Sequence, residues 1–207
     1  MRMRMGEDSE MTENRVEVLC PGMIRRDGQT VLEAHSTVTL VSRGQRRILV
    51  DTSSPRNREV LLQALAARGI GPEDIEAVVL THMHHDHVGN IGLFPRAVLY
   101  AHELESPVTG IERVRKDVEI WEGVSLLHTP GHTRGSMSVL VKADRTYAMV
   151  GDAIPTEDNV RKWVPPGIHY DKEVAMTSLS RLVSMADVIV PGHGPAFETE
   201  GCRNDGR

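Results

Sequence analysis

Four potential metal ligands lie within six residues of one short segment, which reads THMHHDH and follows the apolar run AVVL. The ligands are His82, His84, Asp86 and His87. One cation could not comfortably accept all four side chains from so short a segment, so the H-x-H-x-D-H spacing indicates two neighbouring metal ions. Imidazole suits zinc and iron, and a carboxylate in the set is more typical of a hydrolytic site than of a purely structural one.

Three further candidate ligands lie downstream, each in a turn that follows a strand-like run. They are His132 in the segment TPGHT, Asp152 in VGD and His193 in PGHGP. Each stands next to a glycine, which lets the backbone bend toward an ion while the preceding strand holds the side chain in place. Ligands at four separate strand ends predict a metal centre at one edge of a sheet.

The motifs H-x-H-x-D-H, T-P-G-H-T, G-D and P-G-H-G occur here in the order found in the metallo-β-lactamase superfamily, which the sequence resembles over residues 38–197. Residues 81–95 and 186–197 resemble one branch of that superfamily in particular. The resemblance implies an α/β (α+β) fold, a four-layer αββα sandwich. It also implies a first metal on His82, His84 and His132, a second metal on Asp86, His87 and His193, and Asp152 bridging both.

The chemistry that the resemblance implies is hydrolysis by a hydroxide bridged by two divalent metal ions. Such ions lower the pKa of a bound water from about 15.7 toward about 7, which makes hydroxide available at neutral pH. Asp86 is the predicted catalytic residue, because it is expected to orient the hydroxide and to carry a proton to the leaving group. Zinc is expected in both positions, and the donor set also suits iron or manganese. Asp51 is expected to accept a hydrogen bond from a ligand histidine.

Hydrophobic periodicity by itself predicts only a mixture of strands and helices. Helices are predicted over residues 56–68 and 171–186, the second with Asp171 as its N-cap, and a shorter helix is predicted to begin near Gly89. The almost wholly apolar run before Thr81 is typical of a central strand that is buried on both faces. Nine strands are predicted, at residues 16–19, 37–41, 47–50, 77–80, 97–101, 124–128, 137–141, 147–150 and 188–190.

Two loops are predicted to border the site. Residues 21–36 are expected to form a hairpin that overhangs it, with residues 23–26 and His35 near the substrate. Residues 156–170 are rich in proline and turn formers and are expected to form one wall of the pocket. The candidate pocket residues of this wall are Trp163, His169 and Tyr170.

Length and composition favour one globular domain over residues 15–200, with disordered tails over residues 1–14 and 201–207. The hydrophobic content of 40% is typical of a globular protein, and no apolar run reaches the roughly 18 residues of a membrane span. The start of the chain lacks the apolar stretch of a secretory signal. Cys20 and Cys202 have no metal-ligand spacing, so free thiols and a cytoplasmic location are expected.

The expected partner is a small-molecule substrate: an ester, thioester, lactone or phosphodiester. Nucleic acid is not favoured, because the net charge is −5 and aromatic residues make up only 3% of the chain. Two alternatives stay open, both from the resemblance: an RNA phosphodiesterase, and a persulfide dioxygenase in which two His and one Asp hold a single iron. No membrane partner is expected, and the sequence is compatible with a homo-oligomer.

Overall fold

The structure is a computed structural model that describes residues 13–28, 30–105 and 109–200. Residues 1–12 and 201–207, which make up most of the two predicted tails, lie outside the described residues. Asn14, which the prediction assigned to the first tail, is buried, and its amide donates hydrogen bonds to the carbonyl oxygens of Glu122 and Lys142 at 3.0 and 2.9 Å. Ordered contacts therefore begin just before the predicted start of the domain at residue 15.

The secondary structure of the described residues is mainly strand. The strands are β1 (Arg15–Cys20), β2 (Met23–Asp27), β3 (Thr30–His35), β4 (Val38–Arg43), β5 (Arg46–Val50), β6 (Ala77–Val79), β7 (Val98–His102), β8 (Ile111–Val114), β9 (Val118–Trp121), β10 (Val124–His128), β11 (Met137–Lys142), β12 (Thr146–Gly151), β13 (Val188–Pro191) and β14 (Phe197–Glu198). The helices are α1 (Arg58–Ala66), α2 (His85–Val88), α3 (Glu157–Arg161) and α4 (Lys172–Met185).

Two six-stranded sheets form the core of the fold. Their strand orders are β1-β4-β5-β6-β7-β8 and β14-β13-β12-β11-β10-β9. In the first sheet β5, β6, β7 and β8 are parallel to one another, whereas in the second sheet only β12 and β13 form a parallel pair. Strands β2 and β3 form a separate antiparallel hairpin outside both sheets.

Alternation of side chains along the central strands explains why the sheets pack face to face. Ile48 and Val50 of β5 join the apolar cluster between the two sheets, while Leu49 points to the opposite face. In the second sheet Val139 of β11 joins the same inner cluster and Leu140 points outward. Because both faces of these strands are apolar, each sheet needs a further layer to cover its outer face.

Helices supply those outer layers. Leu61 and Leu65 of α1 are fully buried against the outer face of the first sheet, and Leu179 and Leu182 of α4 are fully buried against the second. The predicted αββα sandwich is therefore confirmed. No helix of the described part of the chain has both the length and the apolar character needed to cross a membrane.

The nine predicted strands are all present, and the helix predicted at residues 171–186 is α4, capped by the Asp171 carboxylate. The short helix predicted to begin near Gly89 is present as two pieces on either side of that residue: α2 begins at His85 and ends at Val88, and a 3-10 helix spans Ile91–Leu93. The backbone N–H of Gly89 itself donates to the carbonyl oxygen of Ser53 at 2.9 Å. The first piece places Asp86 and His87 on a helical turn rather than in the preceding loop.

Candidate metal centre

The seven predicted ligands come from both sheets and meet at one edge of the sandwich. In the first sheet, the ligand segment that begins with His82 follows β6. In the second sheet, His132 lies between β10 and β11, Asp152 directly follows β12, and His193 lies just after β13. Parallel strands end at the same edge of a sheet, so the β12–β13 pair brings Asp152 and His193 together.

His82, His84 and His132 form the first ligand group. One ring nitrogen from each lies within 4.8 Å of those of the other two. His84 Nδ1 is 3.0 Å from His132 Nε2, and the ring centroids of His82 and His132 are 4.7 Å apart. His82 and His132 are buried while His84 is exposed, so this group opens to solvent on one side.

Asp86, His87 and His193 form the second ligand group, again with one ligand atom from each within 4.8 Å of the others. His193 Nε2 lies 3.5 Å from Asp86 Oδ2, and both histidines are buried. The two histidine rings meet nearly edge to face, with their centroids 5.3 Å apart. The helical turn of α2 places Asp86 and His87 side by side on this group.

Asp152 lies between the two groups. Its Oδ1 is 3.1 Å from His193 Nε2 and 3.4 Å from His87 Nε2, whereas its Oδ2 is 3.6 Å from His132 Nε2. A side chain at Gly192 would collide with this carboxylate, because an added Cβ would lie 2.2 Å from Asp152 Oδ1. The glycine before His193 is therefore needed for the close approach of the two loops.

The residues present fit divalent cations. Three buried atoms that face the centre, His82 Nε2, His87 Nε2 and Asp152 Oδ1, have no hydrogen-bond partner among the described residues. Leaving buried polar atoms unpaired is costly, and coordination to a cation would remove that cost. Imidazole and carboxylate donors of this kind bind zinc, iron or manganese.

In two of the ligand histidines, the ring nitrogen that points away from the centre contacts a backbone carbonyl oxygen from a distant part of the chain. His132 Nδ1 lies 2.7 Å from the carbonyl oxygen of Ile168, and His193 Nδ1 lies 3.0 Å from that of His35. A carbonyl oxygen can only accept a hydrogen bond, so Nδ1 of each ring carries a proton and Nε2 is the nitrogen that faces the centre. Such contacts fix both tautomer and ring orientation.

Asp51 makes the corresponding contact to His87. Its Oδ2 lies 2.7 Å from His87 Nδ1 and also accepts from Thr81 Oγ1 at 2.8 Å, and its Oδ1 accepts from Thr81 N at 2.8 Å. Asp51 is buried and has a positive φ of 58°, a backbone conformation that Asp tolerates better than most residues. The carboxylate thus joins the ends of β5 and β6 to the second ligand group.

Burial and the nearby carboxylates shift the pKa values of the ligand histidines in opposite directions. Burial lowers the pKa of His82 well below its ordinary value and also lowers the pKa of His132, so both rings are neutral, the form that binds a cation. Burial also disfavours a charged His87, but Asp51 and Asp152 outweigh it and raise the pKa of His87 to about 10. A cation at the second group would replace this proton.

His193 and Asp152 have complementary shifts. Burial opposes a charged His193, but its contact with Asp152 outweighs burial and raises the pKa of the imidazole. Burial alone would raise the pKa of Asp152, but His193 and His87 hold it well below its usual range. Asp152 is therefore a carboxylate, the protonation state that a bridging ligand needs.

A cavity of about 310 Å³ lies over both ligand groups. Its floor is formed by ligands of both groups, and one wall is the β2–β3 hairpin, as predicted for residues 21–36. His85, which stands between the two ligand pairs of the HMHHDH segment, is exposed on its rim. The other lining residues are Ile24, Arg26, Val31, Leu32, Glu33, Ala34 and Ile168.

Among the described residues, the other predicted pocket residues do not belong to the lining of this cavity. Trp163 is half-buried and packs against the apolar cluster beneath α4, and its place in the wall of the pocket stays a prediction. His169 Nδ1 bonds to the carbonyl oxygen of Pro166, and Tyr170 lies under the guanidinium of Arg134. His35 contributes its backbone carbonyl to His193, while its ring lies 3.4 Å from Ser54 Oγ.

Ile168 is the residue of the 156–170 loop that lines the cavity, and it was not among the predicted pocket residues. Leu32 was also missed, although it lies in the predicted hairpin. Leu32 could have been found from the sequence, because it is an apolar residue in a hairpin that was expected to overhang the site. No local signal marks Ile168, because its position depends on a contact with His132, 36 residues away.

Two adjoining groups of His and Asp ligands at the floor of a cavity, on an αββα sandwich, define a metallo-hydrolase. The family profile of the metallo-beta-lactamase superfamily matches residues 32–109 and 99–193. The chain belongs to this superfamily.

Individual relatives agree with this assignment. The chain is 34% identical to metallo-beta-lactamase domain-containing protein 1 of Xenopus laevis, over 88% of this chain and 80% of that protein. This protein represents the branch that residues 81–95 and 186–197 indicated. A probable metallo-hydrolase of Methanocaldococcus jannaschii is 31% identical, with 86% of each chain covered. An N-acyl homoserine lactonase of a Bacillus species is 30% identical, over 69% of this chain and 65% of the lactonase.

A solved structure shows the same fold. The crystal structure of a putative metallo-beta-lactamase from Thermotoga maritima superposes with a TM-score of 0.75. The match covers 90% of this chain and 99% of that chain, at 23% sequence identity. The superposition extends over nearly the whole described domain, so the sandwich is shared as a unit.

Proposed function

We propose that this protein hydrolyses a small ester, thioester, lactone or phosphodiester with a hydroxide bridged by two divalent metal ions. One observation carries the proposal: two three-ligand groups, linked by Asp152, lie at the floor of a single cavity. Zinc is the expected metal in both positions, and the same donors also suit iron and manganese. A homo-oligomeric state and a cytoplasmic location stay predictions from the sequence.

Two divalent cations held by these residues would supply hydroxide at neutral pH and would polarise the scissile carbonyl or phosphoryl group. Asp86 is the residue placed for proton transfer, because its side chain is partly exposed to the cavity while its Oδ2 is 3.5 Å from His193 Nε2. We assign it the orientation of the attacking oxygen and the delivery of a proton to the leaving group. Asp51 and the carbonyl oxygens on His132 and His193 keep the ligand rings fixed during this transfer.

The cavity favours a small substrate that has an apolar part. Its volume of about 310 Å³ is at the lower end of the range for small-molecule sites. Ile24, Val31, Leu32 and Ile168 supply an apolar lining, and Arg26 adds a positive charge. The similarity to an N-acyl homoserine lactonase also supports esters and lactones. An RNA phosphodiester is a less favoured substrate than these esters and lactones, because the net charge of the chain is −5.

The first experiment counts metal ions per chain by elemental analysis of protein purified without chelator. About two ions in the wild type and about one in His193→Ala are expected, because only the second ligand group loses a donor. His169→Ala is the matched control, since His169 bonds Pro166 rather than either ligand group. Both ions are expected to remain in this control.

A panel of esters, thioesters, lactones and phosphodiesters then identifies the reaction. Hydrolysis of one class by the two-ion protein, lost in His193→Ala, supports the proposal. A single iron per chain, together with oxygen uptake on a persulfide, would overturn it in favour of a mononuclear dioxygenase. Hydrolysis confined to RNA would assign the phosphodiesterase alternative.

A further inference from the structure

Glu105 lies just beyond β7 and directs its carboxylate at two loops of the metal centre. Its Oε2 accepts a hydrogen bond from Met83 N at 2.8 Å. Its Oε1 accepts from Gly135 N at 3.0 Å and from Thr133 Oγ1. The backbone N–H of Glu105 itself donates to the carbonyl oxygen of His102 at 3.0 Å, which ties the residue to the end of β7.

The three donors belong to the loops that carry the first ligand group. Met83 stands between His82 and His84, and Thr133 directly follows His132. One carboxylate therefore joins the segment after β6 in the first sheet to the segment between β10 and β11 in the second. Hydrogen bonds from N–H or O–H groups to an ionised carboxylate are shorter and stronger than those between neutral groups.

The second ligand group has different supports. His87 is held by Asp51, and His193 is held by the carbonyl oxygen of His35. Among the described residues, no hydrogen bond joins Glu105 to the helical turn α2, which carries Asp86 and His87, or to His193. The contacts of Glu105 are thus confined to one of the two groups.

Gly135 packs so closely against Glu105 that no room is left for a side chain at this position. A Cβ added at Gly135 would lie 2.8 Å from Glu105 Cγ, from Glu105 N and from Glu105 Oε1. The clash with the backbone nitrogen could not be relieved by a rotation of the Glu105 side chain. A residue larger than glycine would therefore push the His132 loop away from Glu105.

We propose that Glu105 is a positioning residue that clamps the His82–His84 loop to the His132 loop and so sets the geometry of the first metal site. It acts through backbone and hydroxyl donors and touches neither the metal nor the substrate. The inference rests on the proposed two-metal function, because it assigns Glu105 to one of the two ions. Loss of contacts that orient metal ligands typically weakens metal affinity about 10- to 100-fold.

The test uses Glu105→Gln, which keeps the size of the side chain but replaces one acceptor oxygen by an amide that cannot accept. Metal content is measured during competition with a chelator in the wild type and in the variant. One ion is expected to keep its affinity, and the other is expected to bind about 10- to 100-fold more weakly. Glu103→Gln is the matched control, because Glu103 is exposed and pairs with Arg115.

Cobalt(II) identifies which ion is affected, since its visible absorption depends on its ligands. His132→Ala removes a donor of the first group and His193→Ala removes a donor of the second, so these two variants calibrate the spectra. The spectrum of Glu105→Gln at limiting chelator is expected to match that of His132→Ala. A match to His193→Ala, or equal weakening of both ions, would overturn the proposal in favour of a general structural role.

Thr133→Ala keeps the inference testable if Glu105→Gln does not fold. It removes one of the three donors and leaves the carboxylate in place, so a smaller weakening of the same first ion is expected. Unchanged affinity for both ions in a folded variant of either kind overturns the role of Glu105 while the two-metal function stands. A wild type that binds no metal overturns the proposed function, and this inference fails with it.

Discussion

Each buried ligand of the metal centre is held by a partner that leaves its inner atom free. His132 and His193 each donate from Nδ1 to a carbonyl oxygen, and His87 faces the Asp51 carboxylate, so the opposite ring nitrogens point at the centre. Asp86 differs because it is partly exposed to the cavity. This exposure agrees with the proposed role of Asp86 in proton transfer, because the carboxylate must reach a bound substrate.

Asp86→Asn tests the proposed role of Asp86 in proton transfer. Turnover is expected to fall about 10²- to 10⁴-fold, the usual contribution of a positioned acid or base. At least one metal ion is expected to remain, because His82, His84 and His132 are unchanged. Initial rates and elemental analysis on the same sample give both values. Asp158→Asn is the control, since Asp158 is exposed and bonds Lys162, and full turnover in Asp86→Asn would show that the assigned role is wrong.

Among the elements, the β2–β3 hairpin is the one that stands outside both sheets and covers the cavity. It carries exposed apolar side chains, with Leu32 51% exposed and Val31 38% exposed, next to Arg26. Exposed apolar groups at the mouth of a cavity become buried when a substrate binds. We therefore expect Leu32 and its apolar neighbours in the hairpin to contribute to substrate binding, whereas the carbonyl oxygen of His35 at the end of β3 holds the ligand His193.

Leu32→Asn tests the hairpin as a binding element. For substrates with an apolar tail, KM is expected to rise about tenfold with little change in kcat, because the lost contact of about 1–2 kcal/mol stabilises substrate and transition state alike. Metal content is expected to stay at the wild-type value. Val60→Asn on α1 is the matched control, since Val60 is 50% exposed and lies outside the cavity. A lower kcat with unchanged KM would contradict this assignment.

For the molecule as a whole, the metal centre depends on the packing of one sheet on the other. The first sheet supplies Asp51 and the HMHHDH segment, and the second supplies His132, Asp152 and His193. The buried apolar cluster between the sheets holds these two halves in register. Any change that opens the sandwich therefore also separates the two halves of the site.

The burial of the Cys20 thiol can be used to test whether the first sheet is intact. Its side chain is 1% exposed, and burial raises the pKa of its thiol to about 11 from an ordinary value of 9.0. The folded state thus favours the thiol, and the associated stability is complete below pH 9 and is lost as the pH rises through about 11. The loss amounts to roughly 2–3 kcal/mol in the free energy of unfolding.

The measurement uses a Cys202→Ser background, so that Cys20 is the one remaining thiol. Denaturant unfolding between pH 8 and 11 is compared with that of the same protein carrying Cys20→Ala, and the Cys20 protein is expected to lose stability more steeply. Iodoacetamide at pH 8 is expected to label Cys20 at a rate set by unfolding. Rapid labelling of the folded protein would contradict the burial of this thiol.

The candidate ligands could be picked out from the sequence because their signals are local. The HMHHDH segment follows a fully apolar strand, and His132, Asp152 and His193 each stand beside a glycine after a strand-like run. The central strands among the nine predicted were found for a similar reason, since strands buried on both faces are apolar throughout. Strands β8, β9 and β14 were not predicted, because they are short and their exposed residues interrupt the apolar pattern.

By itself, the sequence determined the family, the sandwich fold and the set of candidate ligands, because residue type and spacing along the chain suffice for these. Only the tertiary structure decided which side chains surround them. It packed the half-buried Trp163 against the cluster beneath α4, brought Ile168 to the cavity and placed Glu105 between two loops. These contacts join residues far apart in the chain, and the packing of the two sheets, rather than any local pattern, brings them together.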